Sequence, residues 1–389
     1  MIQQLGPNTF MAKSDIQSAF TLVPIAPSDH HLLGFKWRHK YYYYTTLPQG
    51  AASSCFIFER IANAIEWILI QHFGMTNVIH YLDDFLFMHT RQHDCQTMLQ
   101  SFHYLCNDIG VPINSNKTEG PSTQLIFLGI QLDSINNKAT LPMNKVQRYT
   151  NLMKELLQRK NCKLHEIQKV IGSLQFTTSV VAPGRVFLRR MINSTIGVTK
   201  PYHHVHITRE MKNDIKMWLF FLDKFNGINI FIHPEPIHST TINLFTDSCP
   251  QGFGGTFKNN YFLGSFPPSW QDYNIAVLEL YPIFLALHLF AADMSNKHVI
   301  LYTDNQAVSE VLNSKTTRHI QLLHLLRKIV LHTLMCNIII SSKHIPGKNN
   351  TLPDALSRNI HTPLMLQEHH MNKHPTIIPE QLQPENFEW

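Results

Sequence analysis

Paired and closely spaced carboxylates are the residues of this 389-residue chain that could do chemistry. Asp83 and Asp84 are adjacent between two apolar runs, and Asp15 lies at the end of a short N-terminal run. In a hairpin turn, two neighbouring carboxylates repel each other unless a divalent cation bridges them. A solvated turn is the commoner explanation of an Asp-Asp pair, so its neighbours decide what the pair means.

A second set of acids lies in the C-terminal half of the chain. Asp247 follows an apolar strand and precedes a Gly-rich hairpin, and Asp304 ends a second apolar strand. Glu279 lies on an apolar helix, and Asp354 begins the last predicted helix. Each acid alone is typical of a helix cap or an exposed surface, so only their combination could indicate a site.

Hydrophobic periodicity around these acids predicts the elements that position them. In the first third of the chain we expect strands at 22–26 and 40–47, helices at 51–74 and about 92–109, and hairpins over 77–90 and 125–142. Residues 142–225 are almost wholly helical in pattern. Further along we expect three short strands over 242–267, a buried helix at 274–292, strands at 298–304 and 337–344, and helices near 305–313, 317–335 and 351–358.

The first acids, in this order and at these separations, resemble the palm of retroelement reverse transcriptases. The resemblance is carried by Asp15, by the Leu-Pro-Gln-Gly turn at 47–50 before a helix, and by Tyr-Leu-Asp-Asp at 81–84. It implies that the three aspartates hold two Mg²⁺, which Mn²⁺ can replace, and that these metals activate a primer 3′-hydroxyl and neutralise the leaving pyrophosphate. It also implies substrate-binding residues: Phe20 as the bulky residue that rejects a ribonucleotide 2′-hydroxyl, Gln49 and Gly50 in the nucleotide pocket, and Lys117 after the second palm helix.

Residues 136–200 carry the basic excess of the chain. Twelve Lys and Arg stand there against Glu155 and Glu166, a net charge of +10 in a chain whose total is +6. Such a stripe is typical of a surface that follows a phosphate backbone, although a solvated helical face has the same composition. The run Pro-Gly-Arg-x-Phe-Leu-Arg-Arg within it resembles the thumb of DIRS-like (tyrosine-recombinase) retrotransposons, which implies that Arg185, Arg189 and Arg190 lie along duplex phosphates.

The second set of acids resembles the ribonuclease H domain that follows reverse transcriptase in retroelements. The motifs are Thr-Asp-Ser, Leu-Glu-Leu-Tyr-Pro, Tyr-Thr-Asp-Asn and Leu-Pro-Asp-Ala-Leu-Ser-Arg, in this order over 241–359. The resemblance implies that the four carboxylates bind two Mg²⁺ and hydrolyse the RNA strand of an RNA–DNA hybrid. His344 matches a mobile histidine of that family, with surface filler as the alternative, and Asn305 would contact the RNA strand.

These assignments predict an α+β and α/β multidomain fold with a partial palm, a helical thumb and a ribonuclease H-like mixed sheet with helices. The predicted domains are a palm at 1–135, a basic helical thumb at 136–225, a linker at 226–240, a ribonuclease H-like domain at 241–359 and a flexible tail at 360–389. In the family, a fingers subdomain precedes the first palm aspartate, whereas fourteen residues precede Asp15. We therefore expect missing fingers and doubtful unaided polymerisation.

Composition excludes several other classes of protein. With 44% apolar and 15% charged residues the chain can bury a core, which excludes a disordered protein. Its six cysteines show neither a disulfide framework nor metal-ligand spacing, which favours a reducing intracellular compartment, cytoplasm or nucleus. Neither a signal peptide nor a membrane span is visible.

The most specific interpretation is an RNA-directed DNA polymerase and ribonuclease H of a retrotransposon. Its partners would be RNA–DNA hybrid and primer–template, with deoxynucleoside triphosphates if the polymerase is competent, and hydrolysis of hybrid RNA is the better-supported activity. The alternative is a non-catalytic nucleic-acid-binding relic that keeps the basic stripe. A structural protein would require both sets of motifs to be accidents. The oligomeric state is not readable from the sequence.

Overall fold

A computed structural model describes residues 1–224, 226, 228–229, 237–238, 241–242, 244–295, 297–336, 338–346 and 350–387. The helices are α1 (Ile2–Leu5), α2 (Ala52–Gln71), α3 (Gln92–Asp108), α4 (Met143–Leu157), α5 (Leu164–Thr177), α6 (Arg189–Asn193), α7 (Arg209–Lys224), α8 (Ile275–Leu289), α9 (Ala291–Met294), α10 (Gln306–Ser314), α11 (Ile320–Met335), α12 (Thr351–Ser357) and α13 (Pro363–Glu368). The strands are β1 (Phe10–Asp15), β2 (Gly34–Trp37), β3 (Lys40–Tyr43), β4 (Val78–Tyr81), β5 (Asp84–His89), β6 (Glu119–Ser122), β7 (Gln124–Phe127), β8 (Ile130–Asp133), β9 (Lys138–Thr140), β10 (Asn161–Lys163), β11 (His204–His206), β12 (Ile228–Asn229), β13 (Ile237–His238), β14 (Phe245–Ser248), β15 (Gly252–Phe257), β16 (Asn260–Ser265), β17 (His298–Thr303) and β18 (Ile339–His344). Most of the predicted linker at 226–240 lies outside the described residues.

Residues 1–143 and strand β12 form the first compact unit. Its central sheet is antiparallel, in the order β4-β5-β1-β6. Strand β5 is a continuous apolar run because it is buried on both faces. Phe85 and Phe87 pack under α2 and α3, whereas Leu86 and Met88 pack with Met11 on the opposite face.

Helix α2 lies on this sheet through one stripe of side chains. Phe58, Ala62, Ile65 and Leu69 are buried at helical spacing, which is the reason that this segment forms a helix against the sheet. The predicted helices at 51–74 and 92–109 are confirmed as α2 and α3. The predicted strand at 22–26 is wrong, because Pro24 interrupts this stretch and leaves a single bridge, from Pro24 to Thr46.

The second compact unit begins at Asn144 and holds the remaining elements. Its first part contains α4 to α7, and α7 packs closely on the Pro-Gly-Arg run. A Cβ on Gly184 would meet the ring of Trp218 at 2.1 Å, so this glycine is required for packing. Strands β10 and β11 pair with each other inside a region where only helices were expected.

The C-terminal part of the second unit contains two three-stranded sheets. Strands β14, β15 and β16 form an antiparallel sheet, and β13, β17 and β18 form a parallel one. Helix α8 is buried from Ala276 to Leu287, which explains why its sequence is apolar on every side. The predicted strands over 242–267 and the predicted helices from 274 to 358 are confirmed within a few residues.

The segment 360–389, predicted to be a flexible tail, is anchored to the domain at a few residues, although most of its described side chains are exposed. The Tyr281 hydroxyl donates to the backbone oxygen of Leu382 at 2.5 Å, and the ring of Phe387 contacts Trp270 and Tyr281. An aromatic residue so near the end of the chain gains about 1.5–3 kcal/mol by burial, which opposes fraying. Among the described residues, no helix is long and apolar enough to cross a bilayer.

Candidate active sites

Three acids converge in the second unit, at the ends or faces of three different elements. Asp247 lies on β14, Glu279 on α8, and Asp304 directly after β17. Each offers a carboxylate oxygen, and these oxygens all lie within 4.8 Å of one another. In the described part of the chain, this is the one group of three or more His, Cys, Asp or Glu residues that meets this condition.

Helix α12 approaches the three acids closely because glycines face it. Asp247 pairs with Gly254 across β14 and β15. A Cβ at Gly254 would lie 2.4 Å from the Cβ of Leu356, so a larger residue would push α12 away. The hydroxyl of Ser357 on this helix donates to Oδ2 of Asp247 at 2.7 Å.

Burial and mutual repulsion make this acid cluster costly to ionise. Burial raises the pKa of Glu279 to about 9, and the neighbouring Asp247 and Asp304 charges raise it further. Burial also raises the pKa of Asp247 to about 6, although the hydrogen bond from Ser357 lowers it. A divalent cation would remove this repulsion, and carboxylate oxygens are ligands that suit it.

The fourth predicted carboxylate, Asp354, lies on the first turn of α12 and is close enough to raise the pKa of Asp247. It is not part of the group of three, and its Oδ1 accepts a hydrogen bond from Nε of Arg358 at 2.8 Å. His344 is exposed at the end of β18, and its Nε2 lies 3.0 Å from the backbone oxygen of Asp304. Since a carbonyl oxygen accepts, His344 is the donor there.

Asn305 serves as the N-cap of α10. Its side-chain oxygen accepts the backbone N–H of Val308 at 3.2 Å. This bond caps the first turn of α10 and fixes the side chain of Asn305, the residue that follows Asp304. The capping bond gives Asn305 a structural role, and its contact with RNA stays a prediction.

The first unit brings Asp15 and Asp84 opposite each other in the β1–β5 ladder, with Asp83 in the adjoining turn. The backbone N–H of Ile16 donates to the backbone oxygen of Asp83 at 3.0 Å, which fixes the turn against β1. Burial raises the pKa of Asp83 and Asp84, and the other carboxylates contribute to both rises. The three carboxylates do not meet the 4.8 Å condition that the second unit satisfies.

Lys117 is the cationic partner of this first acid set. Its Nζ donates to Oδ2 of Asp15 at 2.8 Å, and this bond raises the pKa of Lys117. Asp15 is buried, whereas the lysine side chain is largely exposed. The ammonium therefore neutralises one of the three acids, next to the other two.

The remaining predicted palm residues all precede α2 in the chain. Phe20 packs edge-to-face on Phe58 of that helix, with 5.9 Å between ring centroids. Gln49 and Gly50 are exposed in the turn before α2, and Gly50 has a φ of 90°, which glycine adopts most easily. Gln49 and Gly50 are therefore accessible to a ligand, whereas Phe20 is partly buried against the core.

The three predicted phosphate-binding arginines have different environments. Arg185 is exposed. Arg189 is half-buried, and its Nε has no hydrogen-bond partner among the described residues. Arg190 instead donates to Oδ1 of Asp214 at 3.3 Å, and Nη2 of Arg190 lies 3.3 Å from His324.

Sequence reasoning missed two groups that shape the sites. Ser357 lies three residues after Asp354, a spacing that puts both on one helix face, and this was the available signal. Asp214 is a buried acid on α7 that pairs with Arg190 and Arg327. Its sequence context, an acid in an amphipathic helix, gave no signal of a buried ion pair.

The family model that matches this chain covers the part that contains Asp15, Asp83 and Asp84. Residues 1–132 match the family model described as "Reverse transcriptase (RNA-dependent DNA polymerase)". The Pro-Pol polyprotein of Feline foamy virus is 26% identical over 169 residues, which are 43% of this chain and 13% of the relative. The Transposon Tf2-3 polyprotein of Schizosaccharomyces pombe is 21% identical over 216 residues, 56% of this chain and 14% of the relative.

A longer match extends across both units. The putative enzymatic polyprotein of Cassava vein mosaic virus is 21% identical over 369 residues, 90% of this chain and 52% of the relative. A solved foamy viral protease-reverse transcriptase, in complex with RNA/DNA hybrid, has a TM-score of 0.51 at 14% identity and covers 97% of this chain and 48% of that one. The fold is thus a mixed α+β multidomain fold of the reverse transcriptase kind.

Residues 1–132 therefore match a reverse transcriptase domain, and the relatives of the chain are retroviral, plant viral and transposon polyproteins. The chain spans 13%, 14% and 52% of the three relatives named, less than two thirds of each.

Proposed function

We propose that this chain acts in the reverse transcription of a retroelement and that its second unit hydrolyses the RNA strand of RNA–DNA hybrids. The observation that supports this most strongly is the meeting of Asp247, Glu279 and Asp304 within 4.8 Å. Three separate elements are needed to bring these acids together, and the cost of burying them is high without a cationic ligand. Asp354 would complete the site from α12.

The donor set fits divalent metals, since it consists of carboxylates alone and burial, together with the neighbouring carboxylates, raises the pKa of Asp247 and of Glu279. We propose two Mg²⁺ held by Asp247, Glu279, Asp304 and Asp354, with Mn²⁺ as a substitute. Bound in this way, they supply an activated water and neutralise charge on the leaving 3′-oxygen.

The protein's own groups would orient the acids. Ser357 holds one oxygen of Asp247 and leaves the other free for a ligand. Arg358 holds one oxygen of Asp354 in the same way. His344, whose ring is exposed beside the backbone of Asp304, would move a proton or assist product release, and Asn305 would lie against the RNA strand.

The partner in this proposal is an RNA–DNA hybrid, supported by the basic stripe and by the exposed Arg185. The similar foamy viral enzyme was solved in complex with such a hybrid. We further propose that the element is DIRS-like, on the basis of the run at 183–190, and that the protein works inside the cell. The glycine of that run is also needed beside Trp218, so packing explains part of the motif.

A second candidate activity, DNA synthesis on a primer–template, is favoured by the family match and by the placement of Asp83 and Asp84 beside Asp15. In this proposal the three acids hold two further Mg²⁺, Gln49 and Gly50 contact the deoxynucleoside triphosphate, and Phe20 limits the sugar. Because Lys117 neutralises Asp15, the first site needs the lysine to move or to bind a phosphate instead.

The test of the main proposal is a cleavage assay with Mg²⁺ and labelled RNA in three forms: paired with DNA in a hybrid, single-stranded, and duplex RNA. The wild type and the variant Asp247→Asn are compared on each form. We expect the wild type to cut only the hybrid and Asp247→Asn to lose most of that rate. Glu310→Gln, an exposed acid on α10, is the matched control and should keep it. A chain that binds hybrid without cutting it would support the non-catalytic relic instead.

A further inference from the structure

The hairpin of β2 and β3 in the first unit presents its side chains to solvent on both faces. Every residue from Gly34 to Trp37 and from Lys40 to Tyr43 is exposed, including Trp37 at 61% and Tyr41 at 80%. A two-stranded hairpin is marginally stable by itself in water, and large exposed apolar patches mark interaction sites. This hairpin contains none of the acids of the two candidate sites.

The strand register arranges the rings as a ladder. Phe35 lies opposite Tyr42, and Trp37 lies opposite Lys40, so these residues share one face with Tyr44. Phe35 stacks on Tyr42 with 5.6 Å between centroids and contacts Tyr44 at 5.1 Å. The rings of Phe35, Tyr42 and Tyr44 therefore form an exposed cluster, and Trp37 lies on the same face nearer the hairpin tip.

Positive charge lies on both faces of this hairpin and at its tip. Lys36, Arg38 and Lys40 are exposed, and no acid occurs between residues 34 and 45. Nζ of Lys36 lies 5.2 Å from the centroid of Tyr41, and the guanidinium of Arg38 lies 5.7 Å from that of Trp37. Lys36 and Arg38 are thus each held beside a ring, and Lys40 lies opposite Trp37 in the strand register.

We propose that this aromatic ladder of Phe35, Trp37, Tyr42 and Tyr44 binds a single strand of nucleic acid, with bases on the rings and phosphates on Arg38 and Lys40. Exposed rings accept the faces of unpaired bases, and the charges track the backbone. The cores of protein–protein interfaces are depleted of lysine, whereas here Lys40 lies opposite Trp37 on the ladder face and Lys36 lies beside Tyr41 on the other face. Nucleic acid therefore fits the composition better than a polypeptide does. The proposal concerns unpaired strands and does not depend on hydrolysis of a hybrid.

Fluorescence anisotropy with a labelled twelve-nucleotide oligo-dT and oligo-rU tests this on the full chain. We expect Trp37→Ala and Tyr42→Ala each to weaken binding by about tenfold, since each removes a stacking ring. Trp37→Phe should retain most of the affinity because it keeps a ring. The matched controls are Trp67→Ala and Tyr104→Ala, exposed rings on α2 and α3 at 57% and 66%, which should bind like the wild type.

A charge variant gives an independent readout. Arg38→Ala with Lys40→Ala should lower the slope of log affinity against log salt by about one unit per lost phosphate contact. A wild type that does not bind either oligonucleotide would overturn the proposal, as would ladder variants that bind as well as the controls. Loss of a self-association measured by sedimentation in Trp37→Ala, with oligonucleotide binding unchanged, would assign the ladder to a second copy of the chain.

The two proposals fail separately. Binding to a blunt RNA–DNA hybrid and its cleavage are measured on the same preparations. A chain that cuts hybrid and ignores single strands refutes the ladder alone, and a chain that binds single strands through Trp37 and cuts nothing refutes the hydrolysis alone.

Discussion

The hydroxyl of Ser357 and the carboxylate of Asp247 are joined by a 2.7 Å hydrogen bond between two buried side chains. The bond connects α12 to β14, and α12 also carries Asp354. One short helix thereby holds Asp247 in place and carries Asp354, the fourth acid of the proposed site. Groups that orient ligands in this manner are typically worth 10–100-fold in metal affinity or activity.

We predict that Ser357→Ala lowers the rate of hybrid cleavage by about tenfold and raises the Mg²⁺ concentration needed for half-maximal rate. The reason is that Asp247 loses the donor that fixes its carboxylate. A Mg²⁺ titration of the cleavage rate measures both effects. Ser342→Ala is the matched control, because it deletes a buried hydroxyl that has no hydrogen-bond partner among the described residues, and equal loss in both variants would contradict the positioning role.

Two arginines of the 183–190 run should have different roles, Arg185 in binding nucleic acid and Arg190 in stabilising the fold. We predict that Arg185→Ala weakens hybrid binding and lowers the salt slope by about one unit, since this side chain is exposed and free to meet a phosphate. Arg190→Ala should lower the melting temperature with little change in slope, because its guanidinium is engaged with Asp214. Binding isotherms at four salt concentrations measure this, and a full unit of slope lost in Arg190→Ala would contradict it.

Asp214 is predicted to be a stability residue of the second unit. Burial raises its pKa to about 6 in spite of the neighbouring Arg327 and Arg190, so desolvation dominates. Asp214→Ala should cost about 3 kcal/mol in the free energy of unfolding, because it leaves Arg327 buried without a counter-charge. Urea denaturation measures this loss.

The control for that experiment lies on the same helix. Asp223→Ala removes an exposed acid whose partner, Lys224, is also exposed, and it should change the unfolding free energy little. Replacing both partners, Asp214→Leu with Arg327→Met, should recover part of the loss. Equal effects of Asp214→Ala and Asp223→Ala would show that the buried ion pair contributes nothing measurable.

Acid should destabilise the second unit through His288. Its ring stacks on His332 with 3.6 Å between centroids, and burial lowers its pKa to about 4. Between pH 6.5 and 4, His288 is protonated in the unfolded chain and neutral in the folded chain. The free energy of unfolding therefore falls as the pH falls through this window. From pH 7 to pH 5 the expected loss from this residue is about 1–2 kcal/mol.

The variant His288→Phe keeps a ring beside His332 and should flatten this pH dependence. The matching control is His369→Phe, which removes an exposed histidine. Thermal unfolding at several pH values between 7 and 5 compares the three proteins. A slope for His288→Phe as steep as the wild type would mean that other groups cause the acid sensitivity.

Strands and helices of the acid sites were predictable because their signals are local. An apolar run that ends in an acid marks β14 and β17, and a stripe at helical spacing marks α2. Strands β10 and β11 could not be predicted, since Asn161–Lys163 and His204–His206 are mostly polar and their pairing depends on residues about forty positions apart.

Side-chain roles that depend on contacts between residues distant in the sequence could not be predicted either. The placement of Asp247, Glu279 and Asp304 followed from motif order, whereas the engagement of Arg190 by Asp214 depends on how α6 and α7 pack. The packed segment near Phe387 was missed for a similar reason, because its contacts are with α8, about one hundred residues earlier. Composition alone indicated a loose tail there.

The most direct test of the central claim is the single-turnover rate of RNA-strand cleavage in Glu279→Gln, measured against Mg²⁺ concentration. Burial holds the pKa of Glu279 at about 9, so without metal the side chain is protonated at pH 7 and glutamine should preserve its shape and the stability of the domain. We predict an unchanged melting temperature and a cleavage rate lost at every Mg²⁺ concentration, while Asp83→Asn in the other unit cleaves normally. A Glu279→Gln protein that cuts the hybrid as fast as the wild type would contradict the assignment of this acid cluster as the hydrolytic site.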